Sequence, residues 1–215
     1  MDPVLLKLAL DARGFLPPQE GLALYEEAAA RLPGGPALEV GTWCGKSAIY
    51  LGAAARAAGS VVFTVDHHRG SEENQPGWEY HDSSLVDPEA GRIDTLPFFR
   101  RTMTRAGLEE EVVAIIGRSA VVARHWRTPL SLLFIDGGHT DEHVAGDYEG
   151  FAPWIQPGGS LVFHDIFADP ADGGQAPWRC YRRALDSGLW EQAQHVGSLH
   201  VLRRTDDGPT PRALP

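Results

Sequence analysis

Leu38-Glu39-Val40-Gly41-Thr42-Trp43-Cys44-Gly45-Lys46-Ser47 decides how the rest of the chain is read. An apolar run ends at Gly41, and Gly45 follows just before Lys46 and Ser47. Two glycines so placed let the backbone turn sharply and let a ligand lie against it, which suits the junction of a strand with its following helix. Three ligand loops compete with a plain strand–helix turn. A Walker A loop has four residues between its first glycine and Gly-Lys-Ser; here only Thr42, Trp43 and Cys44 intervene. A dinucleotide loop needs a middle glycine, which those three residues lack. The third pattern, E-x-G-x-x-x-G, is met by Glu39, Gly41 and Gly45.

Outward from this junction, short apolar runs alternate with helical stretches. The runs are Ala37–Val40, Val61–Val65, Val112–Ile116, Leu130–Ile135 and Ser160–Phe163, mostly β-branched or aromatic. Such alternation predicts an α/β fold, with a mostly parallel, doubly wound sheet and helices on both faces. Two further strands, 190–196 and 199–204, flank Gly197-Ser198 and predict an antiparallel edge hairpin, for about seven strands in all. Residues 3–12 and 18–32 read as helices before the break at Pro33-Gly34-Gly35-Pro36. This N-terminal unit, 1–35, could cover the sheet or build a homodimer face. Residues 67–94 are too long and aperiodic for an ordinary connection and read as a lid. Residues 205–215 read as a disordered tail.

Composition narrows the function. The 215 residues carry 19 Lys and Arg against 29 Asp and Glu, a formal charge of −10. That balance gives no general field for nucleic acid or anionic membrane. No apolar run approaches the ~20 residues of a membrane span, and no basic segment precedes the apolar N-terminal stretch. Two cysteines suit a reducing cytoplasm better than a disulfide framework.

Chemistry-bearing residues fall at the strand ends. Asp66 follows the second run, where a carboxylate can accept bonds from both hydroxyls of a ribose. Gly117-Arg118-Ser119 follows the third; Arg118 and Ser119 would meet an adenine, or Ser119 would cap a helix. Asp136, His164 and Asp165 end the fourth and fifth runs and could converge on one divalent ion, with two carboxylates favouring Mg²⁺. His139 and His143 are four apart, but Thr140 stands where a zinc protease has Glu. His67-His68 and His81-Asp82 are further possible ligands.

In this order, Glu39-Val40-Gly41-x-x-x-Gly45, Asp66, Ile135-Asp136-Gly137-Gly138-His139, Pro157-Gly158-Gly159 and His164-Asp165 resemble class I S-adenosylmethionine-dependent methyltransferases. The chain is most similar to the small-molecule O-methyltransferases related to macrocin and catechol types, over roughly residues 36–204. More narrowly, it resembles the sugar O-methyltransferase of methylmannose polysaccharide synthesis. The resemblance implies an S-adenosylmethionine site built from Glu39, Gly41, Thr42, Gly45, Ser47, Asp66, Arg118, Ser119 and Asp136. It also implies Mg²⁺ on Asp136 and Asp165, with His164 where an acidic residue often occurs, and His139 as the base.

The expectation is therefore methyl transfer to a hydroxyl of a sugar, glycosylated small molecule or oligosaccharide. His139 would take the proton, His143 would be its substitute, and Trp78 and Tyr80 would stack on the acceptor. A P-loop-like nucleotide hydrolase using Lys46, Ser47 and Asp136 is one alternative; a non-catalytic nucleoside-binding module is another.

Overall fold

The computed structural model describes residues 1–205, and from residue 206 onward the expected tail lies outside the described residues. The chain opens with α1 (Pro3–Asp11) and α2 (Pro18–Arg31), followed by β1 (Ala37–Val40), α3 (Lys46–Ala58) and β2 (Val62–Asp66). A small hairpin, β3 (Val86–Asp87) and β4 (Arg92–Ile93), precedes α4 (Leu96–Ala106), β5 (Val112–Ile116) and α5 (Ser119–His125). Then come β6 (Leu130–Ile135), α6 (Asp141–Phe151), β7 (Ile155–Phe163), α7 (Ala176–Asp186), β8 (Trp190–Val196) and β9 (Leu199–Arg204).

Seven strands form one sheet in the order β5-β2-β1-β6-β7-β9-β8. The first five are parallel; β9 runs antiparallel to β7 and to β8, giving the expected edge hairpin. The chain goes from β1 to one side through β2 and β5, then crosses to β6 on the other. A crevice opens at such a reversal, beyond the carboxyl ends of the strands.

Strand alternation divides the core in two. Ala37, Leu132, Phe134 and Val162 face a cluster that includes Leu24, Ala28, Tyr50 and Met103 from the helices on one side. Leu38, Leu133, Ile135, Leu161 and Phe163 face Val144, Phe151, Cys180 and Tyr181 on the other. Helices α1 and α2 thus cover one face. At Gly21 a Cβ would lie 2.4 Å from the Tyr50 ring, so this glycine sets how closely α2 meets α3.

Two boundaries differ from expectation. Strand β2 ends on Asp66 itself, and β7 starts at Ile155, ahead of Pro157-Gly158-Gly159. The pairing of β6 with β7 shifts register between Leu130 and Leu132, the irregularity that Pro and Gly introduce within a strand. The 67–94 segment is folded. Its Leu85 and Ile93 pack with Cys44 in a third small core, which includes Trp43, Val86 and Phe98 at its margin.

Candidate active site

The bend after β1 is built as its glycines require. Gly41 has φ +86°, and a Cβ there would stand 2.2 Å from the Asp136 carbonyl oxygen, so no side chain fits. Trp43 (φ +50°) and Gly45 (φ +91°) complete a tight turn closed by Gly45 N–H donating to Thr42 O at 2.8 Å. Asp66 reaches across from β2. Its Oδ2 accepts the N–H groups of Thr42 (3.0 Å) and Trp43 (2.9 Å), and Oδ1 accepts that of His68 (2.7 Å). Sequence reasoning placed Asp66 at the crevice but not in this role of tying two loops together. A carboxylate oxygen has more than one acceptor site, so a ribose can still bond here.

Glu39 lies beneath the bend, fully buried. Neither of its carboxyl oxygens has a hydrogen-bond partner, nor does the buried Thr42 hydroxyl. Burial pushes Glu39 up to about 8; the nearby Ser47 and Thr42 hydroxyls oppose this and the charges of Asp136 and Asp66 add to it. A buried polar group without a partner is costly, and an ammonium group would supply one here. The residues present therefore fit an amino-acid-bearing nucleoside. On the far side of the crevice Arg118 is exposed and Ser119 half-buried. Ser119 is the first helical residue of α5 and not its cap, because the turn places Arg118 at the cap position. Buried Asp147 of α6 is raised to about 6 by burial, against the lowering influence of the Ser119 hydroxyl.

Next to the crevice lies a carboxylate–histidine cluster. His164 Nδ1 is 2.9 Å from Asp136 Oδ1 and 3.4 Å from Asp165 Oδ2. Its Nε2 is 2.7 Å from Glu20 Oε2. His139 Nε2 is 3.0 Å from Asp165 Oδ2, and its Nδ1 is 2.9 Å from Glu73 Oε2. Burial disfavours a charged His164, but Asp136, Asp165 and Glu20 outweigh it and raise His164 to about 12. Hydrogen bonding to Asp165, then to Glu73, raises His139 to about 9 against its burial. Burial raises Asp136 despite His164, whereas both histidines hold Asp165 below the usual carboxylate range. Asp136, His164 and Asp165 each offer a ligand atom, all within 4.8 Å of one another. Two hard oxygens and one imidazole nitrogen suit a small divalent cation.

Other expected residues stand apart. His143 is half-exposed and faces Glu72 at 3.9 Å, outside the cluster. His68 is a packed histidine bonded to Thr95 Oγ1 at 2.7 Å, with its pKa lowered by burial. His67 accepts the Arg69 N–H and His81 bonds Asn74 O, so both serve the fold of the 67–94 segment itself. Trp78 and Tyr80 are exposed, and Tyr80 meets Phe15, which also meets Trp43.

Three participants escaped sequence reasoning: Glu20, Glu73 and Asp147. Glu20 left one signal. It shares the buried face of α2 with Ala23, Leu24 and Ala28, where a charged residue needs a partner. Glu73 left none, because residues 67–94 have no periodicity to orient it.

This topology and crevice are those of class I methyltransferases. A methyltransferase-domain family model matches residues 38–166, more than half of the chain, and the chain belongs to that family. Solved structures agree in fold. The chain is similar to an SAH-bound methyltransferase from Podospora anserina (TM-score 0.67, 15% identity, covering 96% of this chain and 89% of that one). It is also similar to an O-methyltransferase from Bacillus cereus in complex with SAH (0.63, 18%, 96% and 92%). A third is the O-methyltransferase TomG from Streptomyces achromogenes, involved in tomaymycin synthesis and bound to SAM (0.62, 18%, 95% and 91%). Family membership overturns the nucleotide-hydrolase alternative. No helix among the described residues is long and apolar enough to cross a membrane.

Proposed function

We propose that the chain is an S-adenosylmethionine-dependent O-methyltransferase acting on a hydroxyl of a sugar or glycosylated small molecule. The observation that carries this reading is the double use of Asp136. Its carbonyl abuts Gly41 in the donor crevice, and its side chain belongs to the carboxylate–histidine cluster. Donor and acceptor sites therefore adjoin. TomG is involved in tomaymycin synthesis, which supports a small-molecule acceptor. The exposed Trp78, and the exposed Tyr80 beside Phe15, support one with a flat face that aromatic rings can cover.

The donor supplies an electrophilic methyl on a sulfonium. Glu39 receives its amino group, Gly41 and Gly45 allow its close approach, Thr42 and Ser47 flank it, Asp66 holds the ribose, and Arg118 and Ser119 border the adenine. A divalent cation on Asp136, His164 and Asp165 would bind acceptor oxygens and ease loss of the hydroxyl proton. His139 takes that proton at Nδ1, while Asp165 fixes the ring through Nε2. Glu73 faces Nδ1, and Asp165 first and Glu73 second favour the charged ring. For His139 to act as base, Glu73 must leave Nδ1 and the ring must give up its Nδ1 hydrogen, to Glu73 or to solvent, before the acceptor hydroxyl takes that place. Alignment of the two reactants contributes several kcal/mol, up to ~7–11 in ideal intramolecular cases.

The test is transfer of label from S-adenosylmethionine to a panel of sugars, glycosides and phenols, with and without Mg²⁺. Labelled methyl on a hydroxyl acceptor is expected. Tight S-adenosylhomocysteine binding with no transfer to any acceptor would instead favour a non-catalytic nucleoside-binding module.

A further inference from the structure

The buried carboxylate of Glu20, 144 residues away in sequence from the histidine it touches, has no place in the scheme above. Its side chain is 7% exposed and that of His164 is 4% exposed. Glu20 Oε1 accepts the backbone N–H of Ser198 at 2.8 Å, and the Ser198 hydroxyl donates to the same carboxylate. Glu20 Oε2 lies 2.7 Å from His164 Nε2. An ionised carboxylate only accepts, so His164 Nε2 must carry a hydrogen. By the same rule Nδ1 donates its hydrogen to Asp136 while no cation is bound; a cation would displace that hydrogen, and because Nε2 stays bonded to Glu20, Nδ1 is the nitrogen left to ligate it. Metal-binding histidines are commonly fixed in this way by a carboxylate on the other ring nitrogen.

We propose that Glu20 is a positioning residue: it fixes the ring and tautomer of His164 so that Nδ1 completes, with Asp136 and Asp165, a three-atom site for a divalent cation. The inference rests on reading those three residues as cation ligands. Glu20 and Ser198 both lie outside the 38–166 segment matched by the methyltransferase family. Helix α2 and the β8–β9 turn are thereby parts of the site and not merely its covering.

Glu20→Gln tests this with little change of shape. The amide offers one accepting oxygen and one donating NH₂ in place of two accepting oxygens. The fixed Ser198 N–H claims the acceptor, which turns the NH₂ toward His164 Nε2. That nitrogen must then accept, so the ring keeps its hydrogen on Nδ1, where it blocks the cation. Mn²⁺ binding to the full chain with S-adenosylhomocysteine bound, followed by calorimetry, should weaken by ~10–100-fold. S-adenosylhomocysteine affinity should stay within about twofold, and Ser198→Ala, which spares the carboxylate, should hold Mn²⁺ within a few-fold.

Equal Mn²⁺ affinity in Glu20→Gln and the unsubstituted chain overturns the positioning role. An unsubstituted chain that binds S-adenosylhomocysteine but not Mn²⁺ overturns the cation reading and the inference with it. A measurement on the unsubstituted chain guards against a variant that fails to fold. In the Mg²⁺-loaded protein, ¹⁵N spectra should show His164 with hydrogen on Nε2 and none on Nδ1; the reverse pattern overturns the proposal.

Discussion

Glu73 places Oε2 2.9 Å from Nδ1 of His139, so the 67–94 segment is clasped onto the loop that follows β6. Glu73→Ala should release the clasp. Amide exchange over residues 69–82 should then rise several-fold while β1 and β6 keep their protection. Unchanged exchange would mean that the small core around Cys44, Leu85 and Ile93 holds the segment alone.

Glu39 makes a pH prediction. Its pKa of about 8 in the folded chain lies above the ordinary 4.5, because burial disfavours the charge. The folded state therefore keeps a proton that the unfolded state has lost. Stability should fall as pH rises from ~4.5 to ~8, by up to ~1.4 kcal/mol per unit, and Glu39→Gln should remove the slope. Binding of an ammonium-bearing donor favours the ionised form. S-adenosylhomocysteine should thus release close to one proton at pH 7, measured by calorimetry in buffers of different ionisation enthalpy. No buffer dependence would remove Glu39 from the amino group.

Gly41→Ala should be severe. A side chain at φ +86° is strained, and its Cβ would overlap the Asp136 carbonyl. A loss of ~3 kcal/mol or more is expected in denaturant unfolding, together with loss of S-adenosylhomocysteine binding. A variant of ordinary stability that binds the ligand normally would refute the close approach.

His139→Ala should lower turnover by ~10²–10⁴-fold with donor affinity nearly intact. His143→Ala should have little effect, since His143 is half-exposed and faces Glu72. The opposite ranking in steady-state kinetics would exchange their roles. Excess chelator should abolish transfer and added Mg²⁺ restore it; full activity in chelator would reject the cation.

Much of this site was legible because the central strands are buried on both faces. Their apolar runs stand out, and whatever follows each run must lie at the crevice. Gly41, Asp66, Asp136 and His164 could be placed that way. The start of β7 could not, because Pro157-Gly158-Gly159 reads as a break although the backbone passes through it as a strand. A cap was one of two readings for Ser119, but α5 starts one residue earlier, with Arg118 at the cap position. Glu20 and Glu73 meet their histidines only through tertiary packing, across 144 and 66 residues, and no local pattern carries such pairings.

Cys44 belongs to the bend that would cradle the donor, yet its side chain is buried against Leu85 and Ile93 of the segment that carries Glu73. Whatever shifts the bend must therefore also strain its seam with the 67–94 segment, so the two flanks of the crevice are mechanically linked through one buried thiol.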